Sequence, residues 1–98
     1  MVKRVQFIVF GRVQGVMYRD FTQRTAKKLG IKGEVENMED GTVRVDAEGT
    51  DEALSKFEEA LSRGPIFARV EKIIRKDIGN LKNYDDFIIV YRNFLDRF

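Results

Sequence analysis

The chain has 98 residues, of which 35% are charged, although the net charge is only +2. This length predicts one compact domain, and interleaved acidic and basic residues are typical of a solvated surface, not of a nucleic-acid interface. The sequence has no His and no Cys, which excludes the usual general base near neutral pH, the usual zinc ligands, a thiolate nucleophile and a disulfide framework.

Two further features that the sequence lacks bear on where in the cell the protein is found. No apolar run approaches the roughly 20 residues that a membrane-spanning helix needs, and the first four residues lead directly into a strand pattern, without the features of a signal peptide. We therefore expect a cytoplasmic protein without membrane or nucleic-acid partners. Any catalysis has to come from carboxylates, hydroxyls, amides, Arg, Lys and backbone groups.

The first half of the chain predicts strand, loop, helix and strand. Apolar residues alternate from Val2 to Phe10, which indicates a strand. A loop with two glycines follows from Gly11 to Met17. From Tyr18 the apolar spacing becomes helical, and Gly30 is placed to end that helix. A short strand then covers Lys32 to Asn37.

A hairpin and a second helix come next. Asp40-Gly41 is a strong hairpin signal, and alternation resumes from Thr42 to Glu48. Either Thr50 or Asp51 is suited to cap the second helix. Gly64-Pro65 ends it.

The last third of the chain predicts two more strands. The first runs from Arg69 to Asp77, and its alternation slips between Val70 and Ile73, which predicts a β-bulge. A polar loop covers Ile78 to Asp85, and an apolar strand covers Phe87 to Tyr91.

The order β-α-β-β-α-β with an additional terminal strand predicts an α+β fold. Specifically, it predicts a ferredoxin-like split βαβ sandwich, with a mainly antiparallel sheet of about five strands and two helices on one face. Residues 1–91 form the predicted single domain, and residues 92–98 form a tail that no pattern places. Fold alone assigns no function.

The loop before the first helix has the parts of a phosphate site. Gly11 and Gly15 allow its backbone N–H groups to converge, the helix N-terminus is partially positive, and Arg19 adds a fixed cation. Taken alone, glycines in such a loop are more often turn residues, and an Arg in a first helical turn is usually solvated. The segment fits neither the NTPase phosphate loop nor the dinucleotide glycine pattern.

Residues 11–19 resemble the acylphosphatase signature G-x-V-Q-G-V-x-[FY]-R, and residues 33–43 are similar to the second motif of that family, G-W-V-x-N-x-x-D-G-x-V. The two motifs stand at the separation found in the family, and the element order over residues 2–91 agrees with it. The resemblance implies a small, monomeric enzyme without metal or cofactor that hydrolyses acyl phosphates, which are carboxyl–phosphate mixed anhydrides. The products are a carboxylate and inorganic phosphate.

The same resemblance implies roles for individual residues. Arg19 matches the Arg that binds the substrate phosphate, and Asn37 matches the Asn that holds the attacking water. The amides that line the phosphate cradle are then those of Gln14, Gly15, Val16, Met17 and Tyr18. From the residues alone, Asn37 is equally consistent with a strand-end residue that bonds its own backbone, and the Tyr18 side chain with a core residue.

Two residues depart from the second motif. Glu34 stands where the family usually has Trp, and Glu36 stands where a basic or polar residue is common. Strand alternation predicts that both point away from Asn37. They are the only support for a runner-up function, a non-catalytic module that binds a phosphorylated metabolite or protein on the same scaffold. RNA binding is disfavoured because the basic-aromatic RNA-binding consensus is absent.

Overall fold

The computed structural model describes residues 1–97, and over that range the predicted order of strands and helices is confirmed. The elements are β1 (Val2–Arg12), α1 (Tyr18–Lys28), β2 (Lys32–Asn37), β3 (Val43–Thr50), α2 (Asp51–Arg63), β4 (Arg69–Ile78), β5 (Phe87–Val90) and a 3₁₀-helix (Phe94–Arg97). No helix in this part of the chain is long and apolar enough to cross a membrane.

The strands form one sheet in the order β4-β1-β3-β2-β5. Three of the neighbouring pairs are antiparallel, and only β2 and β5 run parallel. The two helices contact each other and pack against the sheet. This is the ferredoxin-like sandwich that the sequence predicts.

The core lies between the sheet and the helices. Odd-numbered residues of β1 face it, and Phe7 meets Phe57 of α2 edge to face, with ring centroids 6.1 Å apart. Phe57 in turn meets Phe87 of β5 at 6.0 Å. Full burial of one such side chain stabilises the fold by roughly 1.5–3 kcal/mol. The three rings therefore connect β1 and the edge strand β5 through α2.

The opposite face of the sheet is charged. Glu34 and Glu36 of β2 lie there, and both accept hydrogen bonds from the Arg44 guanidinium, at 2.5 and 3.0 Å. Asn37 points to the core side of the same strand, where it is buried. The prediction that the two glutamates point away from Asn37 is confirmed.

The predicted bulge is present in β4. Phe10 pairs with Lys72 and Gly11 pairs with Val70, so that Glu71 is the extra residue. Gly11 has φ 130°, and a Cβ there would collide with the Arg69 carbonyl oxygen. Only glycine fits at this point of β1, beside the bulge.

Several boundaries differ from the prediction by a few residues. Pairing with Arg69 extends β1 to Arg12, which shortens the predicted loop. Thr42 precedes β3 because its N–H and its hydroxyl both donate to the Asp40 carboxylate, which closes the turn. Of the two candidate caps, Thr50 caps α2, with its Oγ1 accepting from the Ala53 N–H at 3.1 Å.

The end of the sheet also differs slightly. Ile78 belongs to β4 because it pairs with Arg4 of β1. The last strand, β5, ends at Val90, one residue earlier than predicted, and Tyr91 lies just beyond it.

Candidate active site

The loop between β1 and α1, residues 13–17, offers unpaired backbone donors. Gly15 and Met17 both have left-handed backbone conformations, with φ of 73° and 65°, and such a φ is uncommon for a residue with a side chain. Within residues 1–97, the N–H groups of residues 14–17 donate to no backbone or side-chain acceptor. Free donors next to a helix N-terminus are suited to bind an anion.

Arg19 lies in the first turn of α1, and its side chain is 14% exposed. Its Nη1 donates to Asp96 Oδ2 at 3.0 Å, and its Nη2 donates to the Asp96 carbonyl oxygen at 2.5 Å. The guanidinium carbon also lies 4.9 Å from the centre of the Tyr91 ring. A guanidinium has five N–H donors, so three of them remain for a ligand.

Asn37 ends β2 and is only 5% exposed. Its Oδ1 is buried and accepts no hydrogen bond from any residue that the structure describes. Leaving such an acceptor unpaired costs about 1–3 kcal/mol, and this kind of orphan calls for an explanation. The contact with its own backbone that would make Asn37 a strand-end residue is not formed through Oδ1.

Strand register brings the two motifs together. Val43 of β3 pairs with Val9 of β1 on one side and with Asn37 of β2 on the other. The end of β1, which leads into the loop and Arg19, therefore lies at the same end of the sheet as Asn37.

Arg19 and Asn37 line one cavity of about 100 Å³. Its volume suits a few water molecules or one phosphoryl group, since a water occupies about 30 Å³. The other lining residues are Val13, Gly15, Met17, Tyr18, Asp20, Tyr91 and Arg97. A larger concavity of about 460 Å³ lies elsewhere, beside Leu29 and Tyr84, and contains none of the site residues that the sequence predicts.

This geometry can be compared with known proteins. The family model described as acylphosphatase matches residues 5–89. The chain belongs to the acylphosphatase family. It is 51% identical over 74 residues to the acylphosphatase of Nitratidesulfovibrio vulgaris, covering 76% of this chain and 74% of that one.

Matches that cover more of the chain agree with this family assignment. The chain is 42% identical over 91 residues to the acylphosphatase of Pasteurella multocida, which covers 93% of this chain and 100% of that one. The crystal structure of the Bacillus subtilis acylphosphatase superposes with a TM-score of 0.89 at 41% identity, covering 93% of this chain and 100% of that chain. The resemblance found in the two motifs is confirmed, and the chain is an acylphosphatase-type hydrolase.

Not every residue assigned to the acylphosphatase cradle lines the cavity. Gly15, Met17 and Tyr18 do, whereas Gln14 and Val16 do not. The Tyr18 ring is a core residue, and its hydroxyl donates to the Leu61 carbonyl at 2.7 Å. Burial raises the pKa of the Tyr18 hydroxyl far above its usual range, so this group stays protonated.

Gln14 has a role that its place in the motif does not reveal. Its side-chain Nε2 donates to the carbonyls of Met38 and Thr42, at 2.8 and 2.9 Å. These carbonyls lie in the hairpin that follows Asn37. The side chain thereby links the loop before Arg19 to the hairpin that follows Asn37.

Gln14→Ala should lower kcat/KM for an acyl phosphate about tenfold, since loosening the link displaces Arg19 and Asn37 relative to each other. Loss of the two bonds should cost about 1–2 kcal/mol of unfolding free energy. The measurements are steady-state kinetics and urea unfolding. Gln23→Ala is the matched control, because Gln23 donates one hydrogen bond to the Phe87 carbonyl at 3.0 Å, away from the cavity. This variant should lose stability but keep the parent kcat/KM. Equal kinetic losses in both variants would contradict the proposed link.

Sequence reasoning missed the residues after β5. Tyr91 and Arg97 line the cavity, and the Arg97 guanidinium lies 4.7 Å from the centre of the Tyr91 ring. Residues 92–97 belong to the tail that no pattern places, and Phe98 lies outside the described residues. The tail offered a mixture of charged, polar and apolar residues without periodicity, which gave no signal of contact with Arg19.

Over residues 1–97, no group of three or more Asp, Glu, His or Cys side chains is arranged to hold a metal ion. The absence of a metal requirement stays a prediction, to be tested by activity.

Proposed function

We propose that this acylphosphatase hydrolyses acyl phosphates to a carboxylate and inorganic phosphate without a metal ion, with Arg19 binding the phosphoryl group and Asn37 positioning the attacking water. The observation that carries the proposal is the buried Asn37 Oδ1, which has no hydrogen-bond partner among residues 1–97 and belongs to a residue that lines the same cavity as Arg19. We further expect a monomeric, cytoplasmic enzyme without nucleic-acid or membrane partners, as the sequence predicts.

The phosphoryl group would bind between the loop and Arg19. The free N–H groups of residues 14–17 and the N-terminus of α1 supply partial positive charge, and the remaining guanidinium donors of Arg19 supply a full charge. Charge on phosphoryl oxygens grows during transfer, so that preorganised donors lower the barrier most in the transition state. We assign the backbone N–H groups of Gly15, Met17 and Tyr18, which line the cavity, to this cradle, and those of Gln14 and Val16 to the loop beside it.

The water would bind at Asn37. The carboxamide oxygen accepts one water hydrogen, which satisfies the orphaned acceptor and turns a lone pair of the water toward phosphorus. The water oxygen forms the new P–O bond while the bond to the carboxylate oxygen breaks. A carboxylate is a good leaving group, so no general acid is needed, and the water proton passes to the phosphate that forms. Positioning of this kind can supply several kcal/mol.

The runner-up, a non-catalytic phosphate-binding module, finds no support in the site. It depended on Glu34 and Glu36 weakening the anion site. Both carboxylates pair with Arg44 on the opposite face of the sheet, and neither lines the cavity.

Hydrolysis of benzoyl phosphate tests the proposal directly. The loss of the acyl phosphate is followed optically with and without an excess of EDTA, after the protein has been dialysed against chelator. We expect the same rate under both conditions, because positive charge in the site comes from Arg19, Arg97 and backbone N–H groups. Activity that EDTA abolishes and Mg²⁺ restores would refute the metal-free mechanism, and no hydrolysis under either condition would favour the binding module.

A further inference from the structure

The C-terminal segment folds back onto the catalytic end of the sheet. Residues 92–97 lie beyond residue 89, where the family match ends. Their main contact is Asp96, whose carboxylate and carbonyl oxygens accept hydrogen bonds from both terminal nitrogens of Arg19. The two residues are 77 positions apart in the sequence.

Hydrogen bonds within the C-terminal segment hold the Asp96 carboxylate in place, in addition to its contacts with Arg19. Its Oδ2 accepts from the Arg92 N–H at 2.9 Å, and its own N–H donates to the Asn93 Oδ1 at 3.1 Å. Its side chain is only 7% exposed. Burial raises the pKa of this carboxyl, but the bond from the Arg92 N–H and the charge of Arg19 outweigh it, and the pKa is lowered. The segment therefore presents a rigid anion to Arg19.

Asp96 holds Arg19 without filling the cavity. Arg19 and Arg97 line the cavity, and Asp96 does not. The two bonds to Asp96 use one N–H on each terminal nitrogen, which leaves Nε and one N–H on each for a ligand. A carboxylate that competed with the phosphoryl group would instead stand in the cavity itself.

Arg19 also needs this anion for electrostatic reasons. The guanidinium groups of Arg19 and Arg97 both lie against the Tyr91 ring, at 4.9 and 4.7 Å from its centre. Two cations close together repel each other in a partly buried site, where screening by water is weak. Without Asp96, the Arg19 side chain would be free to turn toward solvent.

We propose that Asp96 is a positioning residue that holds the Arg19 guanidinium in the orientation required to bind the phosphoryl group. The inference deepens the proposed function and rests on it. Asp96 acts through Arg19 and does not touch the substrate. The C-terminal segment thereby completes the active site of this chain.

The test is Asp96→Asn in the full chain, which keeps size and shape and removes the charge. KM for benzoyl phosphate and the inhibition constant of inorganic phosphate should each rise about tenfold, because both report how well Arg19 is oriented. We expect kcat/KM to fall by more than tenfold, since the transition state needs the same contact. Circular dichroism checks that the variant is folded.

A purely structural role would give a different pattern. A smaller fraction of folded enzyme lowers the apparent kcat and leaves KM and the phosphate inhibition constant unchanged, and that result would overturn the inference. Unchanged kinetics would overturn it too, and so would higher activity, which would mean that Asp96 competes with the substrate. Asp77→Asn is the matched control, since Asp77 accepts from Arg75 at 3.3 Å on an exposed strand away from the cavity; it should behave like the parent.

Failure of the inference and failure of the proposed function can be told apart. If the parent hydrolyses benzoyl phosphate and Arg19→Gln does not, while Asp96→Asn matches the parent, only the role of Asp96 is wrong. If Arg19→Gln is as active as the parent, the proposed function of Arg19 is wrong, whatever Asp96→Asn does.

Discussion

Arg19→Gln should lower kcat/KM for benzoyl phosphate by about 10³-fold. The substitution removes the only full positive charge that the first turn of α1 contributes to the cavity, together with the planar donor set that fits phosphoryl oxygens. Losing one preorganised donor to a developing charge costs about 10²–10³ in rate, and loss of a phosphoryl-binding Arg costs about 10³–10⁵.

Ligand-dependent stability gives a second readout for Arg19. Inorganic phosphate at about 100 times its dissociation constant should stabilise the parent by roughly 2.7 kcal/mol, seen as a rise in Tm. Arg19→Gln should remove that gain at the same phosphate concentration.

Arg24→Gln is the matched control for Arg19. Arg24 lies on the same helix, but its side chain is exposed and does not line the cavity. The control should keep both the parent kcat/KM and the phosphate-dependent rise in Tm. An Arg19→Gln variant that kept them as well would remove Arg19 from the mechanism.

Local patterns were enough to predict the fold. Alternation in β1, the Asp40-Gly41 turn and the slip near Val70 each describe contacts between residues that are neighbours in the chain or in adjacent strands. All three are observed, and the slip corresponds to the extra residue Glu71. Boundaries moved only where pairing partners or a side-chain bond, which local patterns do not show, decided the end of a strand.

The site could be predicted in part. The two motifs named Arg19 and Asn37, and the register of β3 places both at one end of the sheet. The role of Asp96 had no local signal, because its partner lies 77 residues away and its 3₁₀-helix spans only four residues. The same holds for Gln14, since only the folded hairpin brings the Met38 carbonyl to its side chain.

Asn37→Ala separates turnover from binding. We expect kcat for benzoyl phosphate to fall by about 10²–10³, as on loss of one positioned polar group in an active site. The inhibition constant of inorganic phosphate should stay within about threefold of the parent, because Arg19 and the loop N–H groups remain. Steady-state kinetics with phosphate as a competitive inhibitor measures both quantities. Asn80→Ala, at an exposed site away from the cavity, is the control and should match the parent.

Stability should distinguish a functional Asn37 from a structural one. Truncating a buried Asn that holds the fold together through hydrogen bonds lowers the free energy of unfolding by about 1–3 kcal/mol, because its partners are left unpaired. The Oδ1 of Asn37 has no partner among residues 1–97, so that Asn37→Ala breaks no hydrogen bond at Oδ1 and should not lower the free energy of unfolding by more than about 1 kcal/mol. A large loss of stability with kcat intact would show that Asn37 serves the hairpin, and the attacking water would then need another partner.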